Sequence, residues 1–422
     1  MNPVKKSILL SKKFIFFSLA VAFILRFYLM IFVTPPDYDE IKSWHHAATV
    51  FDDGRNIYLK QPDGGFYYNY LPLWHIVLWI FLKASLKFGI EFGYLVKTFL
   101  ILFDIAVLVL LHRLALKMKG YKFANILSII FAVSPISVFI VSFGAQFEPF
   151  ATIFMLLAFF YFPLGAIKEN AKFTDKSMYL SAFFLGLGIL VKIFPVFILP
   201  LFLMKLSGNR ERIKFFIIAS VPSLIFAIPY MTSAASIIGM VKYIILYKGK
   251  NSFGWGIARI FLVPALLIKT FYPGSALLGF LQSAISFLKA FAALLLLASV
   301  TAAYFISKKL NLAIVEASAL VYAAIIFGIV FLFPHYLYWG LPFLLLMLNT
   351  RGISYFIFSG IYTLVYILSF VLNMAIGDPQ NINFLAISWT ISGFLVWATC
   401  AYIFFVYILK YIRIKNSNKI IN

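Results

Sequence analysis

Residues Phe99–Leu111 have the sequence FLILFDIAVLVLL, and residues Ile153–Phe162 have the sequence IFMLLAFFYF. Apart from Asp104, both stretches are continuously apolar. The strands of a transmembrane β-barrel alternate in polarity at every second residue, so these runs exclude a barrel. In lipid, a helix satisfies all its backbone hydrogen bonds within its own segment. The two runs therefore predict an all-α membrane fold.

The composition of the whole chain supports this prediction. Of its 422 residues, 63% are hydrophobic, only 12% are charged, and 50 are Phe. A soluble domain is about half apolar and a quarter charged. The chain is therefore predicted to be a polytopic membrane protein with about 11 to 14 transmembrane helices. We expect residues 1–422 to form one transmembrane domain with no separate soluble domain.

The charges indicate how the chain is oriented. The chain has 36 Lys and Arg against 14 Asp and Glu, a net charge of +22. The cations lie in short clusters between apolar runs, as the positive-inside rule predicts, so a nucleic-acid partner is not needed to explain them. The basic N-terminus precedes an apolar run at Phe14–Val33, which we interpret as a retained first helix with a cytoplasmic N-terminus. The expected location is a prokaryotic plasma membrane, or the ER membrane in a eukaryote.

Two apolar segments do not fit a simple count of crossings. If Leu71–Phe88 crossed the membrane, Arg113 and the lysines after it would lie outside, so we predict a juxtamembrane or re-entrant helix there. About 28 apolar residues separate two later cytoplasmic clusters, which is long for one span. Two short helices that turn near Lys192 and Pro195 would fit. Lys192 would then lie near the outer membrane face, where it could snorkel to the headgroups or bind a lipid phosphate.

The acidic residues are concentrated in one extracytoplasmic loop. Residues 34–70 follow the first helix and are predicted to form a catalytic loop, because long polar loops are where a membrane enzyme presents chemistry to water. Six of the 14 acids fall there: Asp37, Asp39, Glu40, Asp52, Asp53 and Asp63.

The first three of these acids precede a helical pattern. Ile41, Trp44 and two later apolar residues recur at helical spacing, which predicts an amphipathic juxtamembrane helix on the membrane surface. One carboxylate could act as general base for an acceptor hydroxyl. Alternatively, Asp37 and Glu40 form a capping box, or Asp37 and Asp39 bind a metal together with His45 and His46, although no zinc-like ligand spacing is present.

Other candidate substrate-binding residues lie at predicted outer helix ends. Aromatic rings and an amide can bind a sugar, and lysines can bind the phosphate of a lipid. An aromatic belt at the membrane interface is the alternative for the tyrosines and for His335. The candidates are His45, Tyr68, Asn69, Tyr70, Gln146, Glu148, Lys192, Lys248, Lys250 and His335. Asp104 and Glu316 lie within apolar runs, where we expect structural pairing.

Taken together, these motifs resemble the C-type integral-membrane glycosyltransferases (GT-C), and among them the transferases that add the first mannose to the GPI-anchor precursor, with their archaeal relatives. The matching residues are Asp37-Tyr-Asp39-Glu40, Trp44, Ala47-Ala48, Gly54, Ile57-Tyr58, Tyr70-Leu-Pro72-Leu, Phe92-Gly to Asp104, Ser134-Pro135 to Glu148, Lys192-Ile-Phe-Pro195, Asn251-Ser-Phe253 and Tyr336-Leu-Tyr-Trp339-Gly. The spacing from Asp39 to Trp44 is one residue longer than in the mannosyltransferases, which leaves Asp37 and Asp39 both open as the base.

The resemblance implies a GT-C-like bundle with juxtamembrane helices in the first extracytoplasmic loop. It also implies a hexosyltransferase that uses a polyprenyl- or dolichyl-phosphate sugar, with mannose as the candidate, and a lipid- or glycan-linked acceptor. Asp39 is then the favoured base of an inverting displacement, supported by Asp37 and Glu40. No cofactor is required, although a divalent cation would be compatible. The alternatives are a lipid-linked-sugar flippase or transporter and a non-catalytic subunit of a transferase complex.

Overall fold

The computed structural model describes residues 3–33, 39–59, 68–162, 175–245, 257–329, 334–347, 349–376 and 381–421. Throughout these ranges the ordered structure is helical, with no β-strand. The predicted all-α class is thus confirmed.

The chain divides into two compact units, Met1–Lys248 and Gly249–Asn422. The helices of the first unit are α1 (Pro3–Phe32), α2 (Asp39–Asp52), α3 (Leu73–Phe88), α4 (Phe92–Lys119), α5 (Tyr121–Ala132), α6 (Pro135–Ser142), α7 (Glu148–Tyr161), α8 (Asp175–Val191), α9 (Leu199–Lys205), α10 (Asn209–Ala227) and α11 (Ala234–Met240). Short 3-10 segments precede α9 and follow α10, and a π-helical turn follows α11.

The helices of the second unit are α12 (Arg259–Phe271), α13 (Ala276–Ala290), α14 (Ala292–Lys309), α15 (Ile314–Gly328), α16 (Leu337–Met347), α17 (Thr350–Ile376) and α18 (Asn381–Ile421). A 3-10 turn precedes α16. The single transmembrane domain expected from the sequence stays a prediction.

Several helices are long and apolar enough to cross a bilayer, so the protein is a multi-pass membrane protein. Among the described residues there are six such segments: Lys13–Phe32, Phe92–Lys119, Asn209–Tyr230, Ala292–Lys309, Thr350–Leu368 and Ile391–Ser417. The helices α5 and α6, which are bent by 46° at a short break, form a seventh if they count as one span. A total of about 11 to 14 crossings requires that shorter apolar helices also cross, and that count stays a prediction.

Asp104 and Glu316, the two acidic residues noted within apolar runs, have polar partners, as expected. Arg26 in α1 donates from Nε to Asp104 Oδ2 in α4 at 2.6 Å, and Ser137 in α6 donates to Asp104 Oδ1 at 2.8 Å. All three side chains are fully buried. In the second unit, the Tyr407 hydroxyl donates to Glu316 Oε1 at 2.7 Å. Each carboxylate therefore holds neighbouring helices together.

Helix α3 is shorter than a membrane crossing. Its 16 residues extend about 24 Å, against about 30 Å for the hydrocarbon core of a bilayer. It packs against α2, and Asp52 at the end of α2 accepts hydrogen bonds from Trp79 Nε1 at 2.8 Å and from Lys83 Nζ at 2.5 Å. Donation by Lys83 lowers the pKa of Asp52. These contacts support a helix that does not span, and its depth in the membrane stays a prediction.

Two glycines allow α8 to approach its neighbours closely. A Cβ atom on Gly186 would collide with the backbone carbonyl of Ala219 in α10. A Cβ atom on Gly188 would lie 3.2 Å from the carbonyl oxygen of Ala151 in α7. Close packing of this kind fixes the position of α8 between α7 and α10, and with it the residues at the end of α8.

Helix α8 ends where the sequence predicted a turn. The Lys192 amide donates to the Gly188 carbonyl at 3.0 Å, after which the helix stops at Val191 and a 3-10 segment begins at Phe194. Pro195 occupies the first turn of that segment, where its missing amide hydrogen costs nothing. The predicted break in the helix near Lys192 and Pro195 is confirmed, and the crossing of the membrane by two short helices stays a prediction.

Candidate functional site

The apolar row of α2 is buried by protein. Ile41, Trp44 and Ala48 are each less than 5% exposed, and the indole Nε1 of Trp44 donates to the Ala145 carbonyl at 3.2 Å. The row therefore packs on protein, and the juxtamembrane position of α2 stays a prediction. An apolar helical row fits a protein core as well as a lipid surface, and the hydrogen bond to Ala145 anchors it in the core.

A strained turn between α6 and α7 carries two of the predicted residues. Ala145 has a φ angle of +46°, in the left-handed region that costs a non-glycine residue on the order of 1 kcal/mol or more. Gln146 follows it, with a buried side chain whose Oε1 has no hydrogen-bond partner among the described residues. Glu148 begins α7. Strain and a buried polar atom of this kind are typical of functional sites.

A buried ion pair lies beside this turn. Lys192 Nζ is 2.6 Å from Glu148 Oε1, and both side chains are at least 95% buried. The ammonium also lies 4.4 Å from the ring centre of Phe147 and 5.2 Å from that of Tyr70. Lys192 was expected near the membrane face, snorkelling or bound to lipid phosphate. In the structure its charge is held by a carboxylate and two aromatic faces, and its role in binding a lipid phosphate stays a prediction.

Aromatic side chains from the first loop, from α3 and from the turn before α7 pack together beside the ion pair. The ring centres of Trp44 and Tyr70 are 5.7 Å apart, and those of Trp74 and Phe147 are stacked at 4.5 Å. Tyr70 is half-buried, whereas Tyr68 is fully buried against it at 5.6 Å. The ring of Tyr68 therefore packs against the buried side of this aromatic layer.

A second layer lies behind Tyr68, and the sequence did not predict it. His75 Nε2 is 2.7 Å from the Tyr230 hydroxyl, and the Tyr58 hydroxyl donates to the Tyr70 carbonyl at 2.8 Å. Burial lowers the pKa of His75 to about 3 and raises the pKa values of Tyr58 and Tyr68 well above the usual range. All three side chains are therefore neutral at physiological pH.

The structure thus brings together four of the predicted residues, and we call Tyr70, Gln146, Glu148 and Lys192 the Lys192 cluster. Asn69 is half-buried next to Tyr70. On α2, His45 is exposed, with its ring edge-on to Phe92 at 5.3 Å, and Glu40 is half-buried.

The remaining predicted residues lie in the second unit or outside the described residues. Asp37, Lys248 and Lys250 lie outside the described residues, as does the side chain of Asp39, whose backbone begins α2. His335 belongs to the second unit, where its ring contacts Tyr336 at 4.5 Å. Their roles stay predictions.

The described residues contain no group of three or more His, Cys, Asp or Glu side chains arranged to hold a metal ion. The side chains of Asp37 and Asp39, two of the proposed ligands, are not among the described residues. The compatibility of the site with a divalent cation stays a prediction.

A cleft opens on the other side of the aromatic layers. Its volume is about 530 Å³, and we call it the α3–α10 cleft. The residues that line it include Arg55, Asn56, Ile76, Ile225, Tyr230 and Thr232. A volume of this size is typical of ligand sites.

No protein-family model and no curated protein sequence matches this chain. A similar solved structure is the crystal structure of ArnT from Cupriavidus metallidurans in the apo state, with 13% sequence identity, a TM-score of 0.51, and coverage of 93% of this chain and 77% of that chain. The crystal structure of ArnT from Cupriavidus metallidurans bound to undecaprenyl phosphate has 12% identity and a TM-score of 0.48 at the same coverage.

The chain has the fold of apo ArnT. This similarity confirms the predicted fold class, a GT-C-like all-α membrane bundle. Similarity to the ArnT fold does not test the narrower resemblance to mannosyltransferases, which stays a prediction.

Proposed function

We propose that this protein is a glycosyltransferase that moves a hexose, with mannose as the candidate, from a polyprenyl-phosphate donor to a lipid- or glycan-linked acceptor on the extracytoplasmic side. The observation that carries this proposal is the buried ammonium of Lys192, held between the Glu148 carboxylate and the rings of Tyr70 and Phe147. The ArnT-like fold supports it.

A polyprenyl-phosphate sugar keeps its chain in the bilayer and presents its phosphate at the membrane face. Lys192, at the end of α8, supplies the cation that binds this phosphate. When the bond between the anomeric carbon and the phosphate oxygen breaks, negative charge accumulates on the leaving phosphate, and a preorganised ammonium stabilises that charge. The half-buried ring of Tyr70 offers an apolar face to the sugar.

The acceptor hydroxyl loses its proton during transfer, so the site needs a base. We assign this role to Asp39, with Asp37 and Glu40 in support. Asp39 begins α2 five residues before Trp44, which is about 7.5 Å along a helix axis. Trp44 packs against Tyr70 of the Lys192 cluster, and this contact supports the assignment. Attack from the face opposite the phosphate inverts the anomeric carbon.

Replacement of the acids tests the assignment of the base. Asp39→Asn and Asp37→Asn are expected to leave the fold intact, and at least one should reduce transfer by about 10² to 10⁴-fold, which is the usual contribution of a general base. Transfer is measured in membranes with radiolabelled polyprenyl-phosphate mannose. Glu91→Gln, at an exposed acid before α4, is the matched control and should keep the wild-type rate. Wild-type rates in both Asp variants would contradict the assignment.

A further inference from the structure

The α3–α10 cleft is separate from the Lys192 cluster, and none of the four cluster residues lines it. Asn56 holds one wall in place, because its Nδ2 donates to the Tyr230 carbonyl at 2.9 Å and to Thr232 Oγ1 at 3.3 Å. These bonds join the loop after α2 to the end of α10. Hydrogen bonds within the first unit therefore hold this wall of the cleft in place.

The lining of the cleft is amphipathic. Ile225 and Phe226 near the end of α10 form its apolar part. Ile225 is 59% exposed and continues a row of exposed apolar side chains along α10 that includes Val221. This helix lies within a candidate membrane span that ends at Tyr230. The apolar part of the cleft therefore continues onto a surface that faces lipid, at the end of a span.

The polar part of the cleft contains a cationic side chain. Arg55 lines it, and its lining contains no carboxylate among the described residues. The guanidinium of Arg55 bonds Asp53 at 2.6 Å, but the two side chains are 37% and 49% exposed. A pair this exposed contributes little to stability. An anionic group in the cleft can therefore share or replace that contact.

Stacked tyrosines separate the cleft from the Lys192 cluster. From the cleft side, Tyr230 contacts Tyr58 at 5.6 Å, Tyr58 contacts Tyr68 at 5.9 Å, and Tyr68 contacts Tyr70 at 5.6 Å between ring centres. Tyr70 in turn lies against Lys192. The two sites flank a common wall, so ligands can occupy both at once.

We propose that the α3–α10 cleft binds the lipid-anchored acceptor, an amphipathic lipid with an anionic head group. Its apolar chain lies along α10 beside Ile225, and its head group contacts Arg55 and Asn56. A transferase with a donor at the Lys192 cluster needs a separate place for its second substrate, and the inference rests in this respect on the proposed function. The chemistry of the lining selects a lipid over a free sugar or a peptide.

Photolabelling of the full chain tests whether a lipid binds there. The probe is phosphatidylglycerol with a diazirine in its acyl chain, in nanodiscs of phosphatidylcholine. Ile225→Trp fills the cleft, and adducts on residues that line it should fall at least fivefold. Leu224→Trp is the control, because Leu224 is 54% exposed on the same helix, close to the value for Ile225, but does not line the cleft. Equal labelling of the cleft in Ile225→Trp and wild type would overturn the proposal.

The charge of the head group is tested by the same assay. Wild-type protein should give several-fold more cleft adducts with the phosphatidylglycerol probe than with a phosphatidylcholine probe. Arg55→Gln should abolish this preference, whereas Lys87→Gln, at an exposed lysine of α3, should keep it. Equal labelling by both probes in the wild type would contradict an anionic ligand.

Kinetics separate this inference from the proposed function. If transfer occurs, Ile225→Trp should raise the KM for a lipid acceptor and leave the KM for the donor unchanged. A rise in donor KM alone would contradict the inference. If specific cleft labelling is found but the purified chain transfers no sugar, the proposed function fails and the lipid site remains.

Discussion

At the scale of single residues, the most informative group is the Lys192 ammonium. A buried cation is costly unless it is paired, and here Glu148 Oε1 lies 2.6 Å away. Removal of one partner leaves the other charge buried without a counter-ion, whereas removal of both charges leaves a neutral pocket. Variants of this pair can therefore separate its contribution to stability from its role in binding phosphate.

We expect Lys192→Met to destabilise the protein by about 3–5 kcal/mol, because Glu148 is left buried without its counter-ion. The double variant Lys192→Met/Glu148→Gln should recover most of this loss, as measured by thermal unfolding in detergent. Transfer should stay abolished in both, since the phosphate has lost its cation. Recovery of transfer in the double variant would contradict the role of Lys192 in binding phosphate.

His75 should make the first unit sensitive to acid. Its pKa is lowered by burial to about 3 in the folded protein, below about 6.5 for an exposed histidine. Between these values the unfolded state binds the proton, so stability decreases as the pH falls through this window, by up to about 1.4 kcal/mol per pH unit. Tm measured from pH 7 to pH 4 should fall less steeply in His75→Gln, and parallel curves for the two proteins would argue against this assignment.

At the scale of elements, the site depends on how closely α8 lies against α7 and α10. The helix carries Lys192 at its end, and Gly186 packs on the backbone of α10. Any atom added at Gly186 must push the two helices apart. Such a shift would also displace Lys192 relative to Glu148.

A pair of glycine variants tests this packing. Gly186→Ala should cost about 1–3 kcal/mol by overpacking and should also reduce transfer. Gly279→Ala in α13 is the matched control, because a Cβ atom there meets no atom within 4 Å. The control should be neutral or stabilising by up to about 1 kcal/mol, because alanine favours a helix. The same Tm for both variants would show that α8 is not held in this way.

At the scale of the whole molecule, the central question is which loops face each side of the membrane. The prediction that α3 does not span the membrane places Lys119, at the end of α4, in the cytoplasm. A single cysteine at this position, Lys119→Cys, should therefore react with a membrane-impermeant maleimide only after the membrane is opened. Asp53→Cys, in the first loop, should react from outside. Labelling of Lys119→Cys from outside in intact cells would contradict the topology.

Much of this architecture could be predicted from the sequence, because apolar runs indicate membrane helices and clustered cations indicate cytoplasmic loops. The helix break at Lys192 followed from an apolar run of about 28 residues, which is long for one span, and the pairing of Asp104 followed from the high cost of burying a charge. The partner of Asp104, Arg26, could not be predicted, since it lies 78 residues away. The contact between His75 and Tyr230 spans 155 residues and was missed for the same reason.

The assignment of α2 shows a second limit. The spacing of Ile41, Trp44 and Ala48 predicted a helix correctly, but the same spacing serves lipid and protein interiors alike. Only the tertiary contact of Trp44 with Ala145 decides between them. The sequence therefore located the candidate residues of the first loop without indicating which of them face each other.

The central claim is that the purified chain transfers a sugar, and reconstitution into proteoliposomes with radiolabelled polyprenyl-phosphate mannose and a lipid acceptor extract tests it most directly. We predict a labelled lipid product that forms without any other protein and whose formation is abolished by Lys192→Met/Glu148→Gln. Movement of the labelled donor across the bilayer with no covalent product, or a product that forms only when a second protein is added, would contradict the account.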